Sequence, residues 1–121
     1  MAKSVRLAPP KSLVLVMDGA GGDIPESMEG RSIVATDSCI AIGCRSEVDG
    51  ETEIVLCTAE DVRIGQDPAC ETTIRTRSRE VAVSSVLGKR LLAAAVSTER
   101  THVRVWVNDE REPDQVIICL G

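Results

Sequence analysis

Tyrosine and phenylalanine are absent from this 121-residue chain, and tryptophan and histidine occur once each, as Trp106 and His102. A core without aromatic rings must be filled by Val, Ile, Leu and Ala, and the β-branched members of that set favour strands. One histidine excludes an all-histidine metal site. The five cysteines are Cys39, Cys44, Cys57, Cys70 and Cys119. No pair has the C-x-x-C spacing of zinc or redox motifs, so they read as buried thiols packing as small apolar groups. The alternative is a Cys44–Cys57 disulfide across a hairpin, which needs an oxidising location. Neither a metal nor a cofactor is expected. Long apolar runs are also missing. Leu13 to Met17 is too short to cross a bilayer, and "MAKSVRLAPP" offers neither the apolar stretch nor the cleavage site of a signal peptide. The expectation is a cytoplasmic chain with no membrane partner.

Basic charge is in deficit. There are 14 Lys and Arg against 19 Asp and Glu, for a net charge of −5. General binding to nucleic-acid phosphates needs the opposite balance. An acidic protein suits a basic protein partner instead.

Strand signals fill most of the chain. "SLVLVM" (12–17) reads as a strand buried on both faces. "DGAGGDIPESMEG" (18–30) is a long loop in which Pro25 could open one helical turn. "RSIVAT" (31–36) and "SCIAIGC" (38–44) are strand-like, with Ile40, Ile42 and Cys44 on one face. Asp49-Gly50 is a tight-turn pair, so 38–59 is predicted to be a hairpin; a two-residue turn there sets Ile42 opposite Cys57, and a longer loop shifts that register. Residues 59–70 read as loop with a short extended piece at Val62 and Ile64. "ETTIRTRSREVAVSSVL" (71–87) holds one or two strands, Gly88-Lys89 a turn, and "RLLAAAVST" (90–98) either strand or helix. "THVRVWV" alternates strictly, "NDEREPD" turns, and "QVIICL" is the last strand. About eight short strands with turns between them predict an all-β fold, a single-domain antiparallel β-sandwich over residues 1–121 with little helix.

Catalytic motifs are weak. "LVLVMDGAGGD" opens like a dinucleotide-binding unit, but Ile24 stands where the third glycine belongs and no amphipathic helix follows. Asp18, Asp23 and Glu26 match no calcium loop. Gly88-Lys89 lacks the rest of a P-loop, with Val83 and Arg90 at the other two positions. No G-x-S-x-G elbow occurs.

Charge patterning says more. Glu47, Asp49, Glu51 and Glu53 crowd one turn, Glu60 and Asp61 follow, and Asp109, Glu110, Glu112 and Asp114 form a second acidic loop. Arg75, Arg77 and Arg79 alternate, as a row guarding a sheet edge would. His102, Arg104 and Trp106 share one face of a strand. That face is either covered by loops, with the indole in a secondary cluster, or is an exposed anchor of the Trp–Arg type enriched at binding hot spots. A cation–π contact of Arg104 on Trp106 serves both.

"SSVLGKRL" (84–91) followed by "THVRVWVND" resembles the competence-associated DNA-entry nuclease inhibitors, small acidic cytoplasmic proteins. "GRSIVATDSCIAIG" (30–43) is similar to an earlier part of that family. The resemblance implies a non-enzymatic protein that binds a nuclease and blocks it. No residue role carries over from the family.

The functional expectation is therefore a non-enzymatic protein-binding module, an inhibitor or immunity-like partner of a basic protein such as a nuclease. Its candidate binding residues are His102, Arg104, Trp106, Glu47, Asp49, Glu51, Asp109 and Glu110. The alternatives are a small-molecule or metal-dependent enzyme on a sandwich scaffold using His102, and a structural subunit forming homo-oligomers.

Overall fold

The computed structural model describes residues 2–58 and 67–121. Glu60, Asp61, Val62 and Ile64 lie outside the described residues. Ten strands occur among those described: β1 (Lys3–Leu7), β2 (Leu13–Asp18), β3 (Ile33–Ala35), β4 (Cys39–Gly43), β5 (Thr52–Thr58), β6 (Cys70–Arg75), β7 (Glu80–Ser85), β8 (Arg90–Ala95), β9 (Arg100–Val107) and β10 (Gln115–Leu120). They form two five-stranded sheets, in the orders β1-β5-β10-β9-β6 and β3-β4-β2-β7-β8. The sandwich expected from the alternation is present. All pairings are antiparallel except β5 with β10, which run parallel.

The core lies between the sheets. One inner face supplies Val14, Val16, Ile40, Ile42, Val81 and Val83. The other supplies Ile54, Leu56, Ile74, Val103, Val105, Val116 and Ile118. Strict alternation places these residues inward on each strand. β2 is buried on both faces as expected, with Leu15 turned outward against Cys39, Ala41 and Met28. The ambiguous 90–98 segment is a strand at its start. β8 lies at a sheet edge, where the Lys3 ammonium of β1 donates to the Ala93 carbonyl and ties the two sheets together.

Three sequence expectations are corrected. The 38–59 hairpin does not form. Both edges of β4 are occupied by β3 and β2, and both edges of β5 by β1 and β10. Asp49 does turn the chain, its N–H donating to the Ser46 carbonyl at 2.9 Å. Gly50 supplies the positive φ of 132° beside it. But the turn carries the chain from one sheet to the other, so Ile42 does not face Cys57. Cys44 belongs to the inner core and Cys57 to the outer face of the opposite sheet, and no disulfide joins them. The arginine row is not a row either. Arg75 ends β6, while Arg77 and Arg79 lie in the following turn, with Arg79 at φ 58°. Finally, no helical turn forms at Pro25 to Met28. That loop is instead spread across sheet β3-β4-β2-β7-β8, with Met28 packed on the Leu15 cluster and the Asp23 carbonyl accepting from the Thr36 hydroxyl.

Asp18, at the end of β2, is a buried carboxylate with full partners. It accepts from the Ser78 N–H at 3.0 Å, the Ser78 hydroxyl at 2.8 Å and the Ala20 N–H at 3.0 Å. Burial alone would raise its pKa. The Ser78 hydroxyl and the two N–H donors outweigh that and hold it below 3.8. One side chain thus pins the glycine loop to the β6–β7 turn.

Two outcomes follow for urea denaturation. Ile118→Ala, which empties a site at the centre of the core, should cost about 2–5 kcal/mol. Asp18→Asn should cost about 1–3 kcal/mol near neutral pH, because the N–H and O–H donors lose their anion. A depressed carboxylate pKa means that the Asp18 contribution is complete above the unfolded value and is lost as pH falls through the folded one. The two curves should therefore converge below about pH 4, and a gap that persists into strong acid would contradict the assignment.

Candidate functional site

β9 carries candidate residues at opposite ends. His102 stands near its start and Asp109 and Glu110 just beyond its end. At about 3.3 Å per residue they are roughly 20 Å apart, so the eight candidates do not form one patch. His102 points outward, its Nε2 2.7 Å from Glu71 Oε2 on neighbouring β6, and both side chains are exposed. It also lines a cavity of about 510 Å³ with Arg100, Thr101, Thr98 and Leu120.

Trp106 is 5% exposed. It packs with Cys57, Cys119 and Ile117, and Arg104 lies over its ring at 5.4 Å from the centroid. Arg104 also donates to the Cys119 sulfur at 3.6 Å. Of the two readings of Trp106, the covered one holds, although the cover that the described residues supply comes from side chains of neighbouring strands and not from loops. The physical reason lies in the register. Ile117 pairs with Trp106, and Cys57 with Cys119, on one outer face. Apolar side chains from three adjacent strands make the indole the centre of a second small core. The signal was in "QVIICL": an unbroken apolar run marks a strand buried on both faces, so its neighbours must present apolar groups on both sides too.

The acidic loops do meet. The Arg45 N–H donates to the Pro113 carbonyl at 2.9 Å, and its guanidinium lies 3.5 Å from Asp114 Oδ2. The Ser32 hydroxyl donates to the Glu110 carbonyl. Asn108 Oδ1 accepts from the N–H groups of Asp114 and Gln115, both at 3.1 Å. Asp109 accepts from the N–H groups of Arg111 at 2.8 Å and Glu112 at 3.0 Å. The Glu112 N–H first, then that of Arg111, holds the Asp109 carboxyl below its ordinary value. Asp49 from one loop joins Asp109, Glu112 and Asp114 from the other around a cleft of about 310 Å³, with Arg45 and Asn108. Glu47, Glu51 and Glu110 stand exposed on the same loops. Sequence reasoning named Asp49 and Asp109 but missed Arg45 and Asn108, which clip the two loops into shape.

The glycine loop offers a different surface. Asp18, Gly21, Asp23, Ser38, Arg75 and Arg77 line a cavity of about 290 Å³. Arg75 is engaged by Asp37 at 3.5 Å. A Cβ at Gly22 would collide with the Ser38 carbonyl oxygen, so this glycine serves close backbone packing. Among the described residues, no three His, Cys, Asp or Glu side chains gather to hold a metal ion, and no helix is long and apolar enough to cross a membrane.

No protein-family model matches the chain, and no curated protein matches it. Among solved structures, ComJ from Bacillus subtilis, inhibitor of the DNA degrading activity of NucA, superposes with a TM-score of 0.67 at 12% identity, over 98% of this chain and 93% of that one. This chain has the ComJ fold. The "SSVLGKRL" and "THVRVWVND" stretches that resemble the nuclease-inhibitor family lie in its β7–β8 hairpin and on β9. A second solved structure, Crocagin biosynthetic gene J, superposes with a TM-score of 0.52 at 9% identity, over 98% of this chain and 94% of that one. At these identities the likeness is one of fold.

Trp106 is the sole fluorophore of its kind, which makes its burial directly measurable. Iodide should barely quench it in the folded protein and should quench it strongly in urea. Strong quenching of the native protein would mean that the indole faces solvent after all.

Proposed function

We propose that this chain is a non-enzymatic binding protein that inhibits a basic, DNA-degrading nuclease. The observation that carries the reading is the acidic cleft. Four carboxylates from two loops converge there, and backbone N–H groups and Arg45 hold the loops in place before any partner arrives. Such an arrangement loses little conformational entropy on binding and steers a cationic surface to itself. Likeness to the ComJ structure supports inhibition as the outcome, since ComJ is described as a nuclease inhibitor. Trp106 and Arg104 serve the reading by stiffening the sheet behind the loops, and His102 lies too far along β9 to join the same contact.

The test is a DNA-degradation assay with a panel of basic endonucleases that includes NucA, titrated with the purified chain. Inhibition of at least one member should weaken by about tenfold or more between about 0.05 M and about 0.5 M salt, because the attraction is screened. The double variant Asp49→Asn, Asp109→Asn should weaken it at low salt and flatten the salt dependence. The reading fails if no member is inhibited at low salt, or if inhibition is indifferent to salt and to both substitutions.

A further inference from the structure

We infer that Cys57 and Cys119 are a modification site: a thiol pair on the outer face of sheet β1-β5-β10-β9-β6 that hydrogen peroxide converts to a reversible disulfide. The inference stands apart from the nuclease reading.

The sheet register creates the pair. Cys57 on β5 and Cys119 on β10 are direct partners in the parallel ladder, and both side chains turn outward into the Trp106 cluster. Neighbouring strands lie about 4.8 Å apart, inside the ~4.4–6.8 Å between Cα atoms that a disulfide spans. The Cys57 thiol leans toward β10, donating at 3.5 Å to the carbonyl of Ile118, the residue before Cys119. The Cys119 sulfur accepts from the Arg104 guanidinium at 3.6 Å. A thiolate is the attacking form of a cysteine, and Arg104 sets a cation beside this one. The buried Arg104 Nε has no hydrogen-bond partner, which leaves the guanidinium free to follow the sulfur when that becomes an anion.

The other three cysteines lack this setting. Cys39 and Cys44 belong to the opposite sheet and its end, where burial pushes their thiols up to about 11 and about 12. Cys70 stands opposite Val105 on β9, and burial raises its thiol as well. All five are reduced in the structure. Cys57 and Cys119 are buried, but only the Thr58–Leu120 pair separates them from the end of the β5–β10 ladder. Strand ends open at low free-energy cost, and peroxide is little larger than water.

The chemistry takes two steps. The Cys119 thiolate attacks one peroxide oxygen. An S–O bond forms, the O–O bond breaks, and the departing hydroxide takes a proton to become water. The Cys57 thiol then attacks the sulfenic sulfur. An S–S bond replaces the S–O bond, and the leaving hydroxyl departs with the Cys57 proton as a second water. Two thiols are oxidised and one peroxide is reduced. Directly opposed Cβ atoms lie wider than the ~3.8 Å of a relaxed disulfide, so the bond pulls the strands together and a glutathione-class thiol reverses it. The strands it joins carry the two acidic loops. The 45–51 loop leads into β5 and the 108–114 loop into β10, and Gln115 Nε2 donates to Glu53 Oε1 at 3.0 Å where the two strands begin. A Cys57–Cys119 bond fixes the other end of the same pair.

The experiment treats the folded full chain with hydrogen peroxide, alkylates the remaining thiols and maps the peptides by mass spectrometry. The dominant cross-link should join Cys57 to Cys119. Trp106 emission should fall in step with it, because a disulfide in contact with an indole quenches it. Reduced glutathione should restore both. Cys70→Ser, which removes the least buried thiol, should leave the yield unchanged, and Cys57→Ser should abolish both the link and the loss of emission. The site is overturned if the folded chain gives no Cys57–Cys119 link, if the link appears only in urea, if it outlasts glutathione, or if emission falls equally in Cys57→Ser.

Discussion

The central strand of each sheet is apolar on two faces, and the rest of the architecture answers to that. A sandwich needs only its inner faces buried. Here the central strands β2 and β10 carry continuous aliphatic runs, so Leu15, Cys39 and Ala41 on one sheet and Trp106, Cys57 and Cys119 on the other form satellite clusters outside the main core. With no Phe or Tyr available, the interior is filled by many medium-sized side chains. Area is gained by burying second faces, because single residues cannot supply the large areas that aromatic rings would.

This constraint explains which parts were legible in the sequence. Strand identity was readable wherever alternation or an apolar run was long, as in 12–17, 101–107 and 115–120. The nature of the fold followed from those runs. Partner choice was not readable. Asp49-Gly50 predicts a turn, and a turn is present, but a turn pair reports the local φ of a glycine and the reversal around it. Whether the flanking strands then pair depends on competition for their edges, and β2 and β10, far away in sequence, win that competition. The parallel β5–β10 pair is a consequence of the same competition. Periodicity carries no information about it.

Trp106 shows the same limit from the other side. The alternation correctly put it with His102 and Arg104 and away from the valines. It did not say whether that face was wet, because the answer lies in Ile117 and Cys119 of the next strand and Cys57 beyond it. Arg104, stacked on the ring and bonded to the Cys119 sulfur, is a seam between the buried end of that face and its exposed end at His102 and Glu71.

The candidate site was half legible for a related reason. Acidic residues in turns are commonplace and most are only solvated. What separates these from ordinary turns is their fastening. Asp109 holds two N–H groups, Asn108 holds two more, and Arg45 ties its own backbone and side chain to the opposite loop. Like charges gathered in one cleft repel, so loops free to move would splay until the carboxylates separated. Fixed backbone donors offset that repulsion and leave the field in place. Arg45 neutralises part of that charge at Asp114, and the backbone donors hold the remainder in place. The fold therefore gathers at one end of the sandwich a cluster of fastened carboxylates and, beside them, the exposed Val48.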